Sequence, residues 1–267
     1  MLIDTHCHLD FPQFDGDRAA VLARARSAGV KALINPGADL ASSRRAVALA
    51  EAEPIVYAAV GIHPHEAQTL DEAAMATLRE LAAHPKVVAI GEIGLDFYRN
   101  LSPRDQQQLA FERQLELAAE LHLPVIIHCR EAQEQVMATL QAWVTHYSAP
   151  ANAWRGVLHA FSGDQVMAEA AQALGFAVAL GGPVTFENAR RLHSLVPRLS
   201  LDYLLLETDA PYLAPHPYRG QRNEPAWLPL IAEAVAHLRG ISVLEVARQT
   251  SINATRLFGL EGTVLPK

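Results

Sequence analysis

Two histidines separated by one residue stand near the start of the chain, in the stretch IDTHCHLDF at residues 3–11. If MLI leads into this stretch as a β-strand, His6 and His8 point to the same face, because strand side chains alternate in direction. Two imidazoles that project together from one strand end can hold a divalent metal ion. Histidines at this spacing also occur in ordinary cores and surfaces, so the hypothesis requires further ligands elsewhere in the chain.

Further ionisable residues follow other strand-like runs along the chain. They are His63, His65, Glu92, Asp96, His128, Arg130, His159, Glu207 and Asp209. Imidazole and carboxylate ligands together suit Zn²⁺ or Mn²⁺, and Mg²⁺ is suited where oxygen ligands dominate. Four histidines and two carboxylates are too many for one tetrahedral ion with an open position, but they suffice for two ions that share a bridging carboxylate. The residues therefore predict two divalent metal ions per chain, of zinc, magnesium or manganese.

Short apolar runs that can position these residues alternate with longer amphipathic runs. The strand-like runs are MLIDTHC, KALINPG, IVYAAVG, KVVAIGEIG, PVIIHC, RGVLHAF, FAVALGG and YLLLETD. Strands that are apolar on both faces and separated by helices form a parallel sheet. Eight such units in 267 residues predict a single (β/α)₈ TIM barrel domain over residues 1–267. An open doubly wound sheet is the alternative, because the hydrophobic pattern does not show closure.

The ends of the helical runs carry typical capping residues. Those expected at N-termini are Asp17, Ser102 and the first-turn Pro103, and those expected at C-termini are Gly29 and Gly175. The last amphipathic run, SVLEVARQTSINATRLFGL, predicts an extra C-terminal helix that packs on the outside of the barrel.

The composition limits the classes of partner and compartment. The formal net charge is −7, and no block of Lys and Arg is present to grip long nucleic acid. Cys7 and Cys129 are far apart and indicate a reducing compartment, where we expect them to pack as small apolar side chains. With no signal segment and no apolar run long enough to span a membrane, we expect a cytoplasmic protein.

Several motifs along the chain occur in a fixed order. They are IDTHCHLDF, GIHPHE, VVAIGEIGLDFY, PVIIHCR, LHAFSG, LGG, LLLETDAPYLAP and RGQRNEP. These motifs resemble those of the TatD-type metal-dependent deoxyribonucleases, which are metallo-dependent hydrolase barrels. The resemblance covers essentially the whole chain. It implies a cytoplasmic hydrolase that uses divalent cations and often acts as a nuclease on DNA ends. The metal ligands that it implies are His6, His8, Glu92, His128, His159 and Asp209.

Two carboxylates are the predicted catalytic residues. Glu92 stands where related amidohydrolase barrels use a carboxylated lysine, which implies that it bridges two metals. A divalent cation lowers the pKa of a bound water toward neutrality, so water is the expected nucleophile. We expect Asp209 to accept a proton from that water, and the alternative is that Asp209 is only a ligand. Glu207 either orients a ligand histidine or makes a structural contact.

Residues just past the strand ends are candidates for binding substrate. They are His63, His65, Arg130, Arg219 and Arg222. The arginine side chain offers a planar fork that suits phosphate oxygens. For Arg222 the alternative is structural, since Arg222 and Glu224 could simply pair or cap a helix.

Three functions compete at this stage. The first is an exonuclease of the 3′–5′ type that trims DNA or RNA ends, because an acidic protein is limited to a local grip on a few nucleotides. The second is a small-molecule or aminoacyl-ester hydrolase of the amidohydrolase type. The third is a metal-stabilised scaffold, which the excess of candidate ligands at an open mouth argues against.

Overall fold

The computed structural model describes residues 1–147 and 154–260. Its sheet has eight parallel strands, and each strand pairs with the next one along the chain. The strands are β1 (Leu2–Asp4), β2 (Val30–Pro36), β3 (Val56–Val60), β4 (Val87–Asp96), β5 (Val125–Arg130), β6 (Gly156–Leu158), β7 (Phe176–Leu180) and β8 (Leu204–Leu206).

A helix follows each strand, and one more helix ends the described chain. The helices are α1 (Arg18–Ser27), α2 (Leu40–Ala52), α3 (Glu72–Ala82), α4 (Arg104–Leu121), α5 (Gln133–His146), α6 (Gln165–Ala173), α7 (Arg190–Leu195), α8 (Leu228–Arg239) and α9 (Val243–Phe258). No helix within residues 1–147 and 154–260 has both the length and the apolar character needed to cross a membrane.

The sheet closes between the segments that follow β1 and β8. Cys7 and Ala210 form a parallel bridge. The Asp209 N–H donates to the His6 carbonyl oxygen at 2.8 Å, and the His8 N–H donates to the Ala210 carbonyl oxygen at 2.7 Å. The predicted (β/α)₈ TIM barrel is therefore confirmed, and the open-sheet alternative is excluded.

An apolar cluster fills the interior of the barrel toward the N-terminal ends of the strands. Its members from the strands include Ile3, Ile34, Tyr57, Ala89, Ile126, Val157, Ala177 and Leu205. Most of these are the second or third residues of their strands, so they lie at the end opposite to the predicted metal ligands.

The C-terminal helix α9 closes that end of the barrel. Ala254, Leu257 and Phe258 belong to the same cluster as the interior strand residues. The Asn253 amide donates to the carbonyl oxygen of Leu204 at 2.9 Å and so attaches α9 to the start of β8. The expectation that this helix packs on the outside of the barrel is wrong, because its apolar residues cover the open base of the interior.

The capping predictions have mixed outcomes. Gly29 and Gly175 follow α1 and α6 with φ of +87° and +83°, the left-handed conformation that glycine adopts readily after a helix. Asp17 occupies the N-cap position of α1, but its side chain makes no capping hydrogen bond. At α4 the N-cap position is held by Pro103, so Ser102 lies one residue outside the helix.

Candidate metal centre

The predicted ligands come together at the C-terminal mouth of the barrel. Glu92 is at the centre of the group and is 4% exposed. Its Oε2 atom lies 3.3 Å from His6 Nε2 and 3.7 Å from His8 Nε2. Its Oε1 atom lies 2.7 Å from His128 Nδ1 and 2.9 Å from His159 Nε2. The two oxygens of one carboxylate thus face two separate groups of histidines, as a bridging ligand requires.

The first group consists of His6, His8 and Asp209, whose candidate ligand atoms all lie within 4.8 Å of one another. The Nε2 atoms of His6 and His8 are 3.1 Å apart, and the buried Nδ1 atom of each ring has no hydrogen-bond partner. Asp209 Oδ1 lies 3.9 Å from the first ring and 3.8 Å from the second. The atoms that converge are thus two imidazole nitrogens and a carboxylate oxygen, a donor set that suits a divalent cation placed between them.

The second group consists of His63, Glu92 and His128, again with candidate ligand atoms within 4.8 Å of one another. His63 Nε2 lies 3.5 Å from Glu92 Oε1. The sequence assigned His63 to substrate binding, whereas the structure places it among the candidate metal ligands. The third group of this kind contains His6, His159 and Glu207. The donor atoms of these three groups, imidazole nitrogens and carboxylate oxygens, are of the kinds that bind divalent cations.

Asp96, expected at the strand end but not among the six ligands that the resemblance implies, is a buried residue of the site. Its Oδ2 atom lies 2.8 Å from His65 Nε2 and 3.2 Å from His128 Nε2. It also accepts the backbone N–H of Arg99 at 2.7 Å. Asp96 fixes the ring of His128 from the side opposite to Glu92. Its spacing from Glu92, four residues along one strand, was the signal that could have revealed it, since such residues share a face.

Glu207 supports the mouth from β8. Its Oε1 atom accepts the Ala160 N–H at 2.6 Å and lies 3.5 Å from His159 Nδ1. Ala160 has φ of +44°, a conformation that is rare for residues with a side chain. The contact matches the hypothesis that Glu207 orients a ligand histidine.

The pKa values of the histidines at the site are shifted in both directions. Burial opposes protonation of His128 and His159, but the neighbouring carboxylates, Glu92 among them, raise the pKa of both. Burial, with a contribution from the charge of His6, lowers the pKa of His8 to about 3, and burial lowers that of His63 to about 4. Both rings are thus neutral at pH 7, the form in which imidazole binds a metal. Burial opposes ionisation of Glu92, but the neighbouring histidines, His159 foremost, hold its pKa well below the usual range. Burial raises the pKa of Asp209 to about 6.

Two cavities open at the mouth. Both are lined by His128, Arg130, His159, Asp209 and Leu213. The leucine cavity, of about 510 Å³, extends past Phe161, Leu180, Arg190, Arg191, Leu192 and Leu195. The tyrosine cavity, of about 560 Å³, extends past Phe11, His65, Arg99, Leu101 and Tyr212. The candidate ligands thus lie at the junction of two spaces that a substrate can enter.

The predicted substrate-binding residues separate into two sets. His65 lines the tyrosine cavity, and Arg130 lines both cavities with its guanidinium stacked 4.0 Å from the centre of the Tyr98 ring. Arg222 lies outside both cavities, because its guanidinium binds both carboxylate oxygens of Asp17, at 2.8 and 2.7 Å. The structure does not bring Arg222 to the site, and its contact is structural, but the partner is Asp17 and not the expected Glu224.

Neighbouring residues of the same loop and the cysteines also have structural contacts. Glu224 pairs with Arg24 at 2.6 Å, and Arg219 stacks on the Phe186 ring. Cys7 and Cys129 are both free. Burial raises the pKa of Cys129 to about 12, so its thiol is not ionised at neutral pH. Cys7 is buried, as expected, whereas Cys129 is partly exposed and lines one of the cavities at the mouth, so the expectation of packed side chains holds for Cys7 only.

Comparison with known proteins places the chain in a family. The family model described as TatD related DNase matches residues 3–259. The chain is 43% identical over 265 residues to the protein named 3′-5′ ssDNA/RNA exonuclease TatD of Erwinia tasmaniensis, covering 97% of this chain and 100% of that protein. It is 42% identical over 258 residues to the protein named uncharacterized metal-dependent hydrolase YabD of Bacillus subtilis, covering 97% and 99%.

Solved structures agree with this placement. The TatD homologue YjjV of Escherichia coli superposes with a TM-score of 0.89 at 35% identity, covering 97% of this chain and 98% of that chain. A TatD-family hydrolase of Entamoeba histolytica shares the fold, with a TM-score of 0.85 at 22% identity, covering 96% and 97%. The resemblance seen in the sequence motifs is confirmed. This chain is a metal-dependent hydrolase that belongs to the family of TatD related DNases.

Proposed function

We propose that the protein is a divalent-metal-dependent 3′–5′ exonuclease that removes nucleotides from the ends of single-stranded DNA or RNA. The observation that carries the proposal is the position of Glu92, which lines the tyrosine cavity and whose two carboxylate oxygens face two histidine groups. Two cations bridged by a carboxylate suit the cleavage of phosphate esters. The printed name of the Erwinia relative supports the polarity and the single-stranded substrate.

The ligands we propose are the six predicted from the sequence. One cation would be held by His6, His8 and Asp209, and the other by His128 and His159, with Glu92 shared. His63 is a further candidate for the second cation. When bound, the two cations would activate water and neutralise the charge on the phosphate oxygens. A donor set this rich in imidazole nitrogen favours Zn²⁺ over Mn²⁺ and Mg²⁺, which prefer oxygen.

The reaction is a hydrolysis at the phosphate of the terminal nucleotide. The oxygen of water bonds to phosphorus and the bond from phosphorus to the 3′-oxygen of the preceding nucleotide breaks. Asp209, which lines both cavities, takes one proton from the water, and the departing 3′-oxygen takes one proton from solvent. The products are a nucleoside 5′-monophosphate and a strand that is one nucleotide shorter.

Substrate contacts follow from the cavities. Arg130 lines both, and its stack on Tyr98 holds the planar guanidinium toward the mouth, where it can bind phosphate oxygens. His65 lines the tyrosine cavity. We propose no substrate role for Arg222, which is bound to Asp17. The formal net charge of −7 restricts the grip to a few nucleotides, which favours strand ends. The two free cysteines favour the cytoplasm as the compartment.

The test is a 5′-labelled single-stranded oligonucleotide incubated with the protein and Zn²⁺, Mn²⁺ or Mg²⁺ in turn. We expect a ladder that shortens from the 3′ end, and no ladder when the 3′ end is blocked. Glu92→Gln should abolish the ladder, while Glu80→Gln, an exposed residue of α3, should leave it unchanged. An intact oligonucleotide with each metal would contradict the proposal.

A second candidate is the hydrolysis of small esters, including aminoacyl esters. The leucine cavity favours it, because an apolar cavity beside the candidate ligands could hold an acyl group or an apolar side chain. Aryl esters and an aminoacyl ester should be assayed with the same metals. Turnover of these esters without oligonucleotide cleavage would replace the first proposal with the second.

A further inference from the structure

We propose that the leucine cavity holds the 3′-terminal nucleoside, while the rest of the strand leaves through the tyrosine cavity. The inference rests on the proposed exonuclease function and deepens it, because it assigns a place to each side of the bond that is cut. It also predicts that the enzyme releases one nucleotide at a time.

The position of the two cavities supports this assignment. His128, His159 and Asp209 line both of them, so a phosphate held at these residues has open space on two sides. A phosphodiester has two substituents that lead away from phosphorus in different directions. One substituent is the terminal nucleoside and the other is the remaining strand, and each needs a space of its own.

The lining of the leucine cavity suits a nucleobase. Phe161, Leu180 and Leu195 are buried and supply apolar surface for the faces of a flat ring. Arg190 and Arg191 line the cavity from the start of α7 and are exposed cations. Its volume of about 510 Å³ is within the range of roughly 300–1,000 Å³ that is typical of sites for one small ligand.

The tyrosine cavity has the features expected for a continuing strand. Tyr212, at 49% exposure, and Leu101, at 60%, lie at its edge, where successive bases could stack on them. Arg99 lines it together with the shared Arg130 and offers a second cation for a backbone phosphate. A strand that runs outward needs such an exposed path, whereas a terminal nucleoside needs a site that ends in buried residues.

The decisive variant obstructs the leucine cavity from its exposed edge. Ser162 lines the cavity and is exposed, so Ser162→Trp places an indole there without disturbing the core. Asn188→Trp does the same from a second exposed lining position and serves if the first variant folds poorly. The matched control is Ser27→Trp, an exposed serine at the end of α1, on the opposite side of the barrel from the mouth.

The measurement is the binding of deoxyadenosine 5′-monophosphate by titration calorimetry in the presence of Mn²⁺. We expect Ser162→Trp and Asn188→Trp to weaken binding about tenfold or more, equivalent to about 1.4 kcal/mol, with Ser27→Trp equal to the wild type. Tyr212→Ala should leave this binding unchanged and raise the KM for an oligonucleotide.

Two results would overturn the inference. The first is nucleotide binding that is absent from the wild type, or that is as strong in both obstructed variants as in the wild type. The second is release of dinucleotides during oligonucleotide cleavage. Nucleotide binding that follows the expected pattern, in a protein that cuts no oligonucleotide, would contradict the proposed function and leave the cavity assignment standing.

Discussion

The two ends of the barrel interior differ in chemistry although the same strands supply both. The N-terminal end is filled by apolar side chains such as Ile34, Ile126 and Leu205, and α9 closes it with Phe258. The C-terminal end contains buried imidazoles and carboxylates, and the Nδ1 atoms of His6, His8 and His159 have no hydrogen-bond partner there. The N-terminal end therefore stabilises the fold, while the C-terminal end gathers the polar groups that chemistry requires.

The backbone at the mouth also has an unusual conformation at two residues. Asp209 and Ala160 follow β8 and β6 with φ of +55° and +44°. This region is uncommon for residues other than glycine, and its occurrence at functional sites reflects backbone strain that the surrounding structure maintains. At Ala160 the N–H is fixed by Glu207, and at Asp209 the N–H is fixed by the His6 carbonyl oxygen.

The largest effect on activity is expected from Asp209→Asn, which removes a proton acceptor from the mouth. The rate should fall roughly 10²–10⁴-fold, the usual contribution of a general base. The measurement is oligonucleotide turnover across a Mn²⁺ titration. The control is Asp202→Asn, a change at an exposed residue near the N-terminal end of the barrel. Full recovery at high Mn²⁺ would show that Asp209 is only a ligand.

The largest effect on stability is expected from Phe258→Ala at the base. Phe258 is 4% exposed and fills the interior together with Leu257, so its loss should reduce the free energy of unfolding by about 3–5 kcal/mol. Urea unfolding measures this loss, and turnover by the remaining folded protein should be unchanged. Unaltered stability of Phe258→Ala would show that the N-terminal end does not stabilise the fold. A large loss of kcat in the folded variant would show that this end also affects catalysis.

A pH effect is expected from Asp4, which lies between the two ends. Asp4 is fully buried and accepts the Thr208 N–H at 2.9 Å and the Thr208 hydroxyl at 2.6 Å. Burial raises its pKa to about 7, above the ordinary value of 3.8. Because the pKa of Asp4 is higher in the folded than in the unfolded state, folding favours its protonated form. The stability that this contributes is complete below about pH 4 and is lost as the pH rises through about 7.

Asp4→Asn stays neutral, so its stability relative to the wild type should increase between pH 4.5 and 8.5. The gain is at most a few kcal/mol, at about 1.4 kcal/mol for each pH unit between the two pKa values. Urea unfolding of chelator-treated protein at several pH values measures it. A relative stability that decreases with pH would show that folding favours the ionised form of Asp4.

The smallest effect is expected from Arg222→Gln. Its ion pair with Asp17 is partly exposed, and such pairs contribute little to stability. The KM for an oligonucleotide should stay within about twofold of the wild type, whereas Arg130→Gln should raise it about tenfold or more. A large rise in KM for Arg222→Gln would restore the substrate role expected from the sequence.

The barrel and the residues of its mouth were predictable because both depend on local pattern. Apolar runs alternate with amphipathic ones along the whole chain, and His6, His128 and Asp209 stand where such runs end. In a parallel barrel all strand ends of one kind meet on one rim, so chain position alone predicts proximity.

Contacts between distant segments were not predictable in the same way. The amphipathic pattern of α9 shows that one face is apolar, but it does not tell whether that face covers the outside or the base of the barrel. The fork of Arg222 suits Asp17 as well as phosphate, and only the fold brings Asp17 within reach. The place of His63 among the candidate metal ligands likewise depends on its contact with Glu92, which lies on a different strand.

The central claim is that the mouth holds two divalent cations that share Glu92. The direct measurement is bound Mn²⁺ per chain, by elemental analysis of chelator-stripped protein after equilibrium dialysis, for the wild type, Glu92→Gln and the control Glu80→Gln. The account predicts about two ions in the wild type and in Glu80→Gln, and at most one in Glu92→Gln, because the amide cannot bridge two cations as a carboxylate does. A single ion in the wild type, or two ions retained in Glu92→Gln, would contradict it.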